Sequence, residues 1–368
     1  MTRVAAGFER VAEAFTRQLG ESGALGAGFC AIQNGVTLVD LWGGHADRAR
    51  SLAWEQDTLV PIYSATKPIA ALTLARLIDS DGLDFDAPVA SLWPEFGAHR
   101  KDALTIAEWL SHQGGLPGFA EPIDPALWLD PPALAAELAR RAPMWPPGTA
   151  NGYHPTTWGY AVGEIFKRAS GRTLGEALRE DVCAPHDIDF WIGLADSEHA
   201  RVAEIKRPSK LPDLGPLTPV KRAAFLEKWA SPDRGGAEWR RVEIPSANGH
   251  CTARALAQLM SIYAQSGAYE VETILSARAF GALTQRRRLD DDLVLPFKLD
   301  WRAGVLGNNL GFFGPDSDAL GHYGWGGSCG MADGARGLSI GYVTNAQSHH
   351  LMGDPRAVEL IEAVYACL

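Results

Sequence analysis

The run from Ile69 to Ile78 carries Ile69, Ala70, Leu72, Leu74, Ala75, Leu77 and Ile78 and leaves almost no polar face, which constrains the fold more than any other stretch. A helix apolar on nearly all sides must be surrounded by protein. Pro68 fits only near a first helical turn, so Ser64 falls at the helix N-terminus. Backbone amides point outward there and favour developing negative charge. Ser64 and Lys67, in Pro61-Ile-Tyr-Ser-Ala-Thr-Lys-Pro68, form the only Ser-x-x-Lys of the chain. Side chains three residues apart share a helix face, so the hydroxyl and the amine meet. A serine hydroxyl is a poor nucleophile until a neighbour takes its proton, and a desolvated lysine is neutral enough to help. The pair therefore reads as a serine nucleophile with a lysine partner.

Length and composition narrow the partners. With 368 residues, 46% of them hydrophobic, the chain suits one large domain or two interleaved ones with a sizeable core. A net charge of -10 argues against nucleic acid or an anionic membrane surface, because the bulk field repels polyanions. A small-molecule substrate is the expectation. No segment approaches the roughly 18 consecutive apolar residues that span a bilayer. Near the N-terminus Val4, Phe8, Val11, Ala12, Phe15 and Leu19 recur at helical spacing among charged residues, which predicts an amphipathic helix and not a signal peptide. The 5 cysteines (Cys30, Cys183, Cys251, Cys329, Cys367) show neither metal-ligand spacing nor a paired framework, so a cytoplasmic protein with no disulfide, metal or cofactor is expected.

Strand signals cluster at the two ends of the chain. Two β-rich runs between Gly26 and Gly43 meet at Asn34-Gly35, the pair best suited to a two-residue hairpin. From Ser64 to about Ala230 helical patterns dominate, broken by Pro/Gly loops at 114–118, 145–148 and 208–219, and polar and glycine residues cluster over 232–243. Helices are predicted over 159–169, over 252–265 with Thr252 as N-cap, and over 355–367. Strands return over 299–306, 321–330 and 338–344. This arrangement predicts an α+β fold: residues 1–61 and 241–368 form a domain with an antiparallel sheet flanked by the terminal helices, and residues 62–240 form a mostly helical domain. The site is expected at their junction.

Two further motifs carry chemistry. Gly152-Tyr153-His154-Pro155 puts a tyrosine on a loop beside a helix start, and a phenol near a lysine amine can be held partly ionised and act as general base. Gly321-His-Tyr-Gly-Trp-Gly-Gly-Ser-Cys-Gly330 packs glycines around a strand, where backbone approaches a substrate closely and an amide can complete an oxyanion hole with that of Ser64. The same stretch contains Gly326-Gly-Ser-Cys-Gly330, a Gly-x-Ser-x-Gly pattern that offers Ser328 as a rival nucleophile. Too little chain follows Ser328 to hold the acid and histidine, with their intervening elements, that this elbow requires. His112, His154, His250 and His322 read as loop or core histidines, and His349-His350 as solvated surface.

With Ser64-Ala-Thr-Lys67, Tyr153-His154 and Trp325-Gly-Gly327 in that order, the chain resembles the family VIII carboxylesterases of the class C β-lactamase and penicillin-binding-protein superfamily. The segments 82–90, 104–117, Pro147-Gly148 and 245–254 resemble blocks of the same family, so the likeness spans nearly the whole chain. It implies a β-lactamase-like fold of the serine β-lactamase/transpeptidase type and hydrolysis of short-chain esters through an acyl-enzyme, the alternative being a β-lactamase or D-Ala-D-Ala peptidase of the same fold. In that scheme Ser64 attacks, Lys67 and Tyr153 share the proton work, the amides of Ser64 and Ser328 hold the oxyanion, and Trp325, Gly326 and Gly327 bind substrate. Two departures from the β-lactamase pattern point away from lactams. The Tyr-x-Asn element becomes Tyr153-His154-Pro155, losing a side-chain amide, and the Lys-Thr-Gly box becomes Trp325-Gly326-Gly327, losing the cation for a lactam carboxylate. Esters of apolar acids or alcohols are expected to be preferred, since a missing polar partner costs powers of ten in discrimination. His322-Tyr323-Gly324 offers a second register for the same box.

Overall fold

The computed structural model describes residues 3–21 and 24–368. Asn34 and Gly35 both take positive φ (48° and 78°), the geometry of a two-residue hairpin turn, and join the strands Gly26–Gln33 and Val36–Gly44. These two strands anchor an antiparallel sheet of nine, in the order Arg3–Val4, Val36–Gly44, Gly26–Gln33, Leu338–Thr344, Cys329–Asp333, Leu320–Tyr323, Leu306–Gly307, Lys298–Trp301 and Arg288–Asp291. Strands from the two ends of the chain meet at the register Gly341↔Cys30.

Alternation along a strand sends neighbours to opposite faces. Phe29 and Ala31 join a core with Val11, Phe15, Leu360 and Ile361, from the terminal helices Glu9–Gly20 and Pro355–Tyr365. Cys30 and Ile32 join the core on the other face, beneath the helix Ala253–Ala264. That helix sits close because Gly341 faces it: a Cβ there would lie 2.3 Å from the carbonyl oxygen of Ala253. Thr252 caps it as the sequence indicated, its side chain accepting from the amide of Ala255.

The helix Lys67–Ser80 runs through this second core against the helices Thr157–Ser170, Ala277–Thr284 and Ala253–Ala264, as its missing polar face requires. A short sheet of Val60–Pro61, His250–Cys251 and Phe190–Trp191 ties its entrance to distant segments. The strand expected over 321–330 is instead two strands, Leu320–Tyr323 and Cys329–Asp333, paired as a hairpin. Its tip, residues 324–328, bends tightly because Gly326 and Gly327 take φ of 96° and 116°. No described helix is long and apolar enough to cross a membrane.

Candidate active site

Ser64 is presented by a strained turn. Tyr63, immediately before it, sits at φ 49° and ψ -128°, a conformation that non-glycine residues adopt only when the surroundings enforce it. The enforcing contacts are the amide of Ile62 donating to the carbonyl of Gly249 (2.9 Å), and Thr66, whose hydroxyl donates to the carbonyl of Tyr63 (2.5 Å) while accepting from the amide of Gly249 (2.9 Å).

The amine of Lys67 is wholly buried, 3.2 Å from Ser64 Oγ, 3.0 Å from the Tyr153 hydroxyl, 2.9 Å from the carbonyl of Pro155 and 3.0 Å from that of Ser246. Burial pushes its pKa well below the ordinary lysine value, and the positive charge of Arg234 pushes the same way. A neutral amine has two N–H donors and one lone pair. Carbonyls only accept, so those of Pro155 and Ser246 take the two N–H groups, and the lone pair is left to accept from the Ser64 hydroxyl, the Tyr153 proton being given to Ser64 Oγ.

The Tyr153 hydroxyl donates to Ser64 Oγ at 2.5 Å. Burial raises its pKa well above the ordinary tyrosine value; the bond to Ser64 lowers it, Asp292 adds to the rise, and Arg234 opposes it. Burial is the largest of these influences, so it works against the partly ionised phenol the sequence suggested, just as it works against the charged form of Lys67. The ring stacks on Trp301 with centroids 5.8 Å apart and planes inclined by 6°.

Asp292 holds this tyrosine loop, and sequence reasoning missed it. One carboxylate oxygen accepts from the amides of Tyr153, Val294 and Leu295, each at 2.9 Å, and the other from Asn151 Nδ2 (3.0 Å) and Trp301 Nε1 (3.2 Å). Its setting, the acidic run Asp290-Asp291-Asp292, reads in sequence as solvated surface. Asp292→Asn turns an NH2 group toward donors and leaves buried donors unpaired, at a cost of about 1–3 kcal/mol each. We expect a lower unfolding midpoint in denaturant and a kcat reduced roughly tenfold or more at little-changed KM. Wild-type values for both would remove Asp292 as the clamp.

The histidines sort themselves by their partners. His154 braces the loop, its Nδ1–H donating to the carbonyl of Gly152 (2.6 Å) and its Nε2 accepting from the amide of Leu116 (2.9 Å). His112 Nδ1 accepts from the amide of His154 (3.0 Å). His322 donates from Nδ1 to the carbonyl of Tyr323 (2.7 Å) and is buried, in keeping with the loop or core histidine the sequence suggested, with one side on the cleft wall. Burial pushes His154 and His322 down to about 3, so both are neutral.

A cleft with about 560 Å³ of empty space opens over Ser64 and Tyr153, walled by Pro155, Phe225, Leu295, His322 and Trp325. The hairpin passes the nucleophile through Gly324: a Cβ there would sit 1.9 Å from the carbonyl oxygen of Ile62 and 3.5 Å from the amide of Ala65. The register at the site is therefore His322-Tyr323-Gly324, with Trp325 on the cleft. Gly326 and Gly327 turn away, toward Gln347 and toward Asp354 and Arg356. Ser328 lies across the hairpin from Gly324, its carbonyl accepting the Gly324 amide at 2.7 Å. Of the residues implied by the resemblance, Ser64, Tyr153 and Trp325 line the cleft and Lys67 lies buried behind Ser64 and Tyr153, whereas Gly326, Gly327 and Ser328 do not line it. Among the described residues the amides of Ser64 and Trp325 donate to no protein acceptor.

Residues 11–363 match the Beta-lactamase family. The chain belongs to that family. It is 32% identical over 337 residues to the esterase/beta-lactamase LipL of Mycobacterium tuberculosis, covering 87% of this chain and 77% of that protein. A penicillin-binding protein homolog from Caulobacter crescentus superposes with a TM-score of 0.97 at 49% identity, over 100% of both chains. A family VIII carboxylesterase superposes with a TM-score of 0.93 at 36% identity, again over 100% of both. The fold is therefore β-lactamase-like, as the motifs implied.

Proposed function

We propose that this protein is a serine carboxylesterase that cleaves short-chain esters through an acyl-enzyme on Ser64. The observation that carries this reading is the hydrogen-bonded trio of half-buried Ser64 and buried Lys67 and Tyr153 at the floor of a largely apolar cleft. Its relationship to LipL and to a family VIII carboxylesterase supports the reaction class. The proposed compartment is the cytoplasm, read from cysteine spacing and checked by cell fractionation.

The mechanism follows from the protonation states. Ser64 Oγ attacks the ester carbonyl carbon while its proton passes to the lone pair of Lys67. The oxyanion forms between the amides of Ser64 and Trp325, the latter taking the role the resemblance gives to Ser328. Collapse breaks the bond to the alkoxide; Tyr153 gives that oxygen its proton and is resupplied from the Lys67 ammonium 3.0 Å away. The serine proton has then left with the alcohol and Lys67 is neutral again. Water repeats the sequence on the acyl-enzyme and releases the acid.

Against lactams stands Pro155. It lines the cleft at the position of the missing amide, and its carbonyl is already engaged by Lys67. The acylamino side chain of a cephalosporin loses its partner there. Parallel kinetics test the reading: p-nitrophenyl butyrate should exceed nitrocefin in kcat/KM by roughly 10²-fold or more. Equal values, or nitrocefin ahead, would make this a β-lactamase first.

A further inference from the structure

Arg234 is a half-buried cation on the wall of the cleft that holds Ser64. Its guanidinium stands 5.9 Å from the Tyr63 ring and 6.0 Å from the Trp325 ring, and it makes no ion pair or hydrogen bond with any described residue. Arg207 also lacks an ion pair among the described residues and lines the adjoining vestibule, which holds about 1480 Å³ of empty space and shares Tyr63, Trp325 and Arg234 with the cleft. The vestibule carboxylates Asp213 and Asp233 pair with neither arginine. Elsewhere in this acidic chain arginines gather carboxylates readily; Arg201 alone pairs with Asp57, Asp189 and Glu198. Two neighbouring arginines left without an anion repel each other, and each lowers the cost of binding an anion from solution. Burial and the charge of Arg207 both destabilise the charged form of Arg234, in keeping with that repulsion.

We infer that Arg234, backed by Arg207, forms a carboxylate subsite, so that the preferred ester carries a carboxylate at the end remote from the bond Ser64 attacks. This rests on the esterase reading and deepens it. Trp325 stands where the resemblance places a lysine, and Arg234 brings a guanidinium to the same cleft from a loop that composition marks only as a polar, glycine-rich segment. Tyr63 and Trp325 flank the guanidinium with ring faces, leaving its edge for bidentate contact with a carboxylate.

Matched ester pairs test this. For a charged acyl group the pair is mono-p-nitrophenyl glutarate and p-nitrophenyl valerate; for a charged alcohol it is 4-acetoxybenzoate and phenyl acetate. In one pair the anionic member should lead in kcat/KM by roughly 10- to 100-fold, the scale of a hydrogen bond to a charged group, and which pair does so tells which side of the ester faces Arg234. Arg234→Ala should cut that ratio at least about tenfold, Arg234→Lys should keep part of it, and Arg207→Ala should lower it less. Raising salt should erode the ratio in wild type. A wild type that favours the neutral member in both pairs, or an Arg234→Ala or Arg234→Lys protein with the wild-type ratio, would overturn the subsite while leaving the esterase standing. No turnover of any of the four esters would instead remove the esterase reading beneath it.

Discussion

Ser64→Ala is expected to abolish ester hydrolysis and acyl-enzyme formation together. Among the described residues no other hydroxyl shares the arrangement: Ser64 Oγ receives the Tyr153 proton donor at 2.5 Å and lies 3.2 Å from the amine of Lys67, whose pKa is depressed. Loss of an activated nucleophile removes covalent catalysis outright, and residual turnover rests on binding and the oxyanion amides, several powers of ten lower. Folding should survive, because the partners orphaned by the change keep other contacts; Lys67 retains the carbonyls of Pro155 and Ser246. Mass spectrometry after treatment with a fluorophosphonate should find one adduct, on Ser64, and none in the alanine variant. An adduct on Ser328 would revive the Gly-x-Ser-x-Gly alternative, although that residue is 3% exposed and sits in the hairpin turn away from the cleft.

What was legible in the sequence was what local spacing dictates. The (i, i+3) geometry of Ser64 and Lys67, the turn at Asn34-Gly35, the cap at Thr252 and the all-apolar helix depend on near neighbours, and each stands as the pattern implies. Tyr153 was visible through its loop and the family likeness, but its protonation state was not, because that is set by burial under Trp301 and His112 from remote segments. The register of the 322–328 stretch was left open for a related reason. Glycines permit several turns, and the choice is made by the approach of Gly324 to Ile62, a contact across most of the chain. Asp292 and Arg234 were illegible altogether. One looks like part of an acidic surface run and the other like part of a polar connection, and only tertiary structure carries the first to the amide of Tyr153 and the second to the cleft.

The second large effect concerns the proton path. Lys67→Ala and Tyr153→Phe should each lower kcat by roughly 10²-fold or more, the scale of a positioned proton-transfer group. Their effects should not add, because the serine proton reaches the leaving oxygen only through both groups. The double variant should therefore be little worse than the poorer single one, and fully multiplicative losses would mean that the two act on separate steps. The pH profile separates their roles. Only neutral Lys67 accepts the serine proton, so kcat/KM should climb as pH rises through the depressed lysine pKa and then stay level until the raised tyrosine pKa is approached. Tyr153→Phe should keep the acid limb while lowering the plateau. Arg234→Ala should move that limb to higher pH, since removing the cation relieves one of the two influences that hold the Lys67 pKa down. An acid limb that stays fixed in Arg234→Ala would mean that burial alone sets the lysine, and a profile still rising toward pH 10 in the wild type would return the resting proton to Lys67 and make ionised Tyr153 the base.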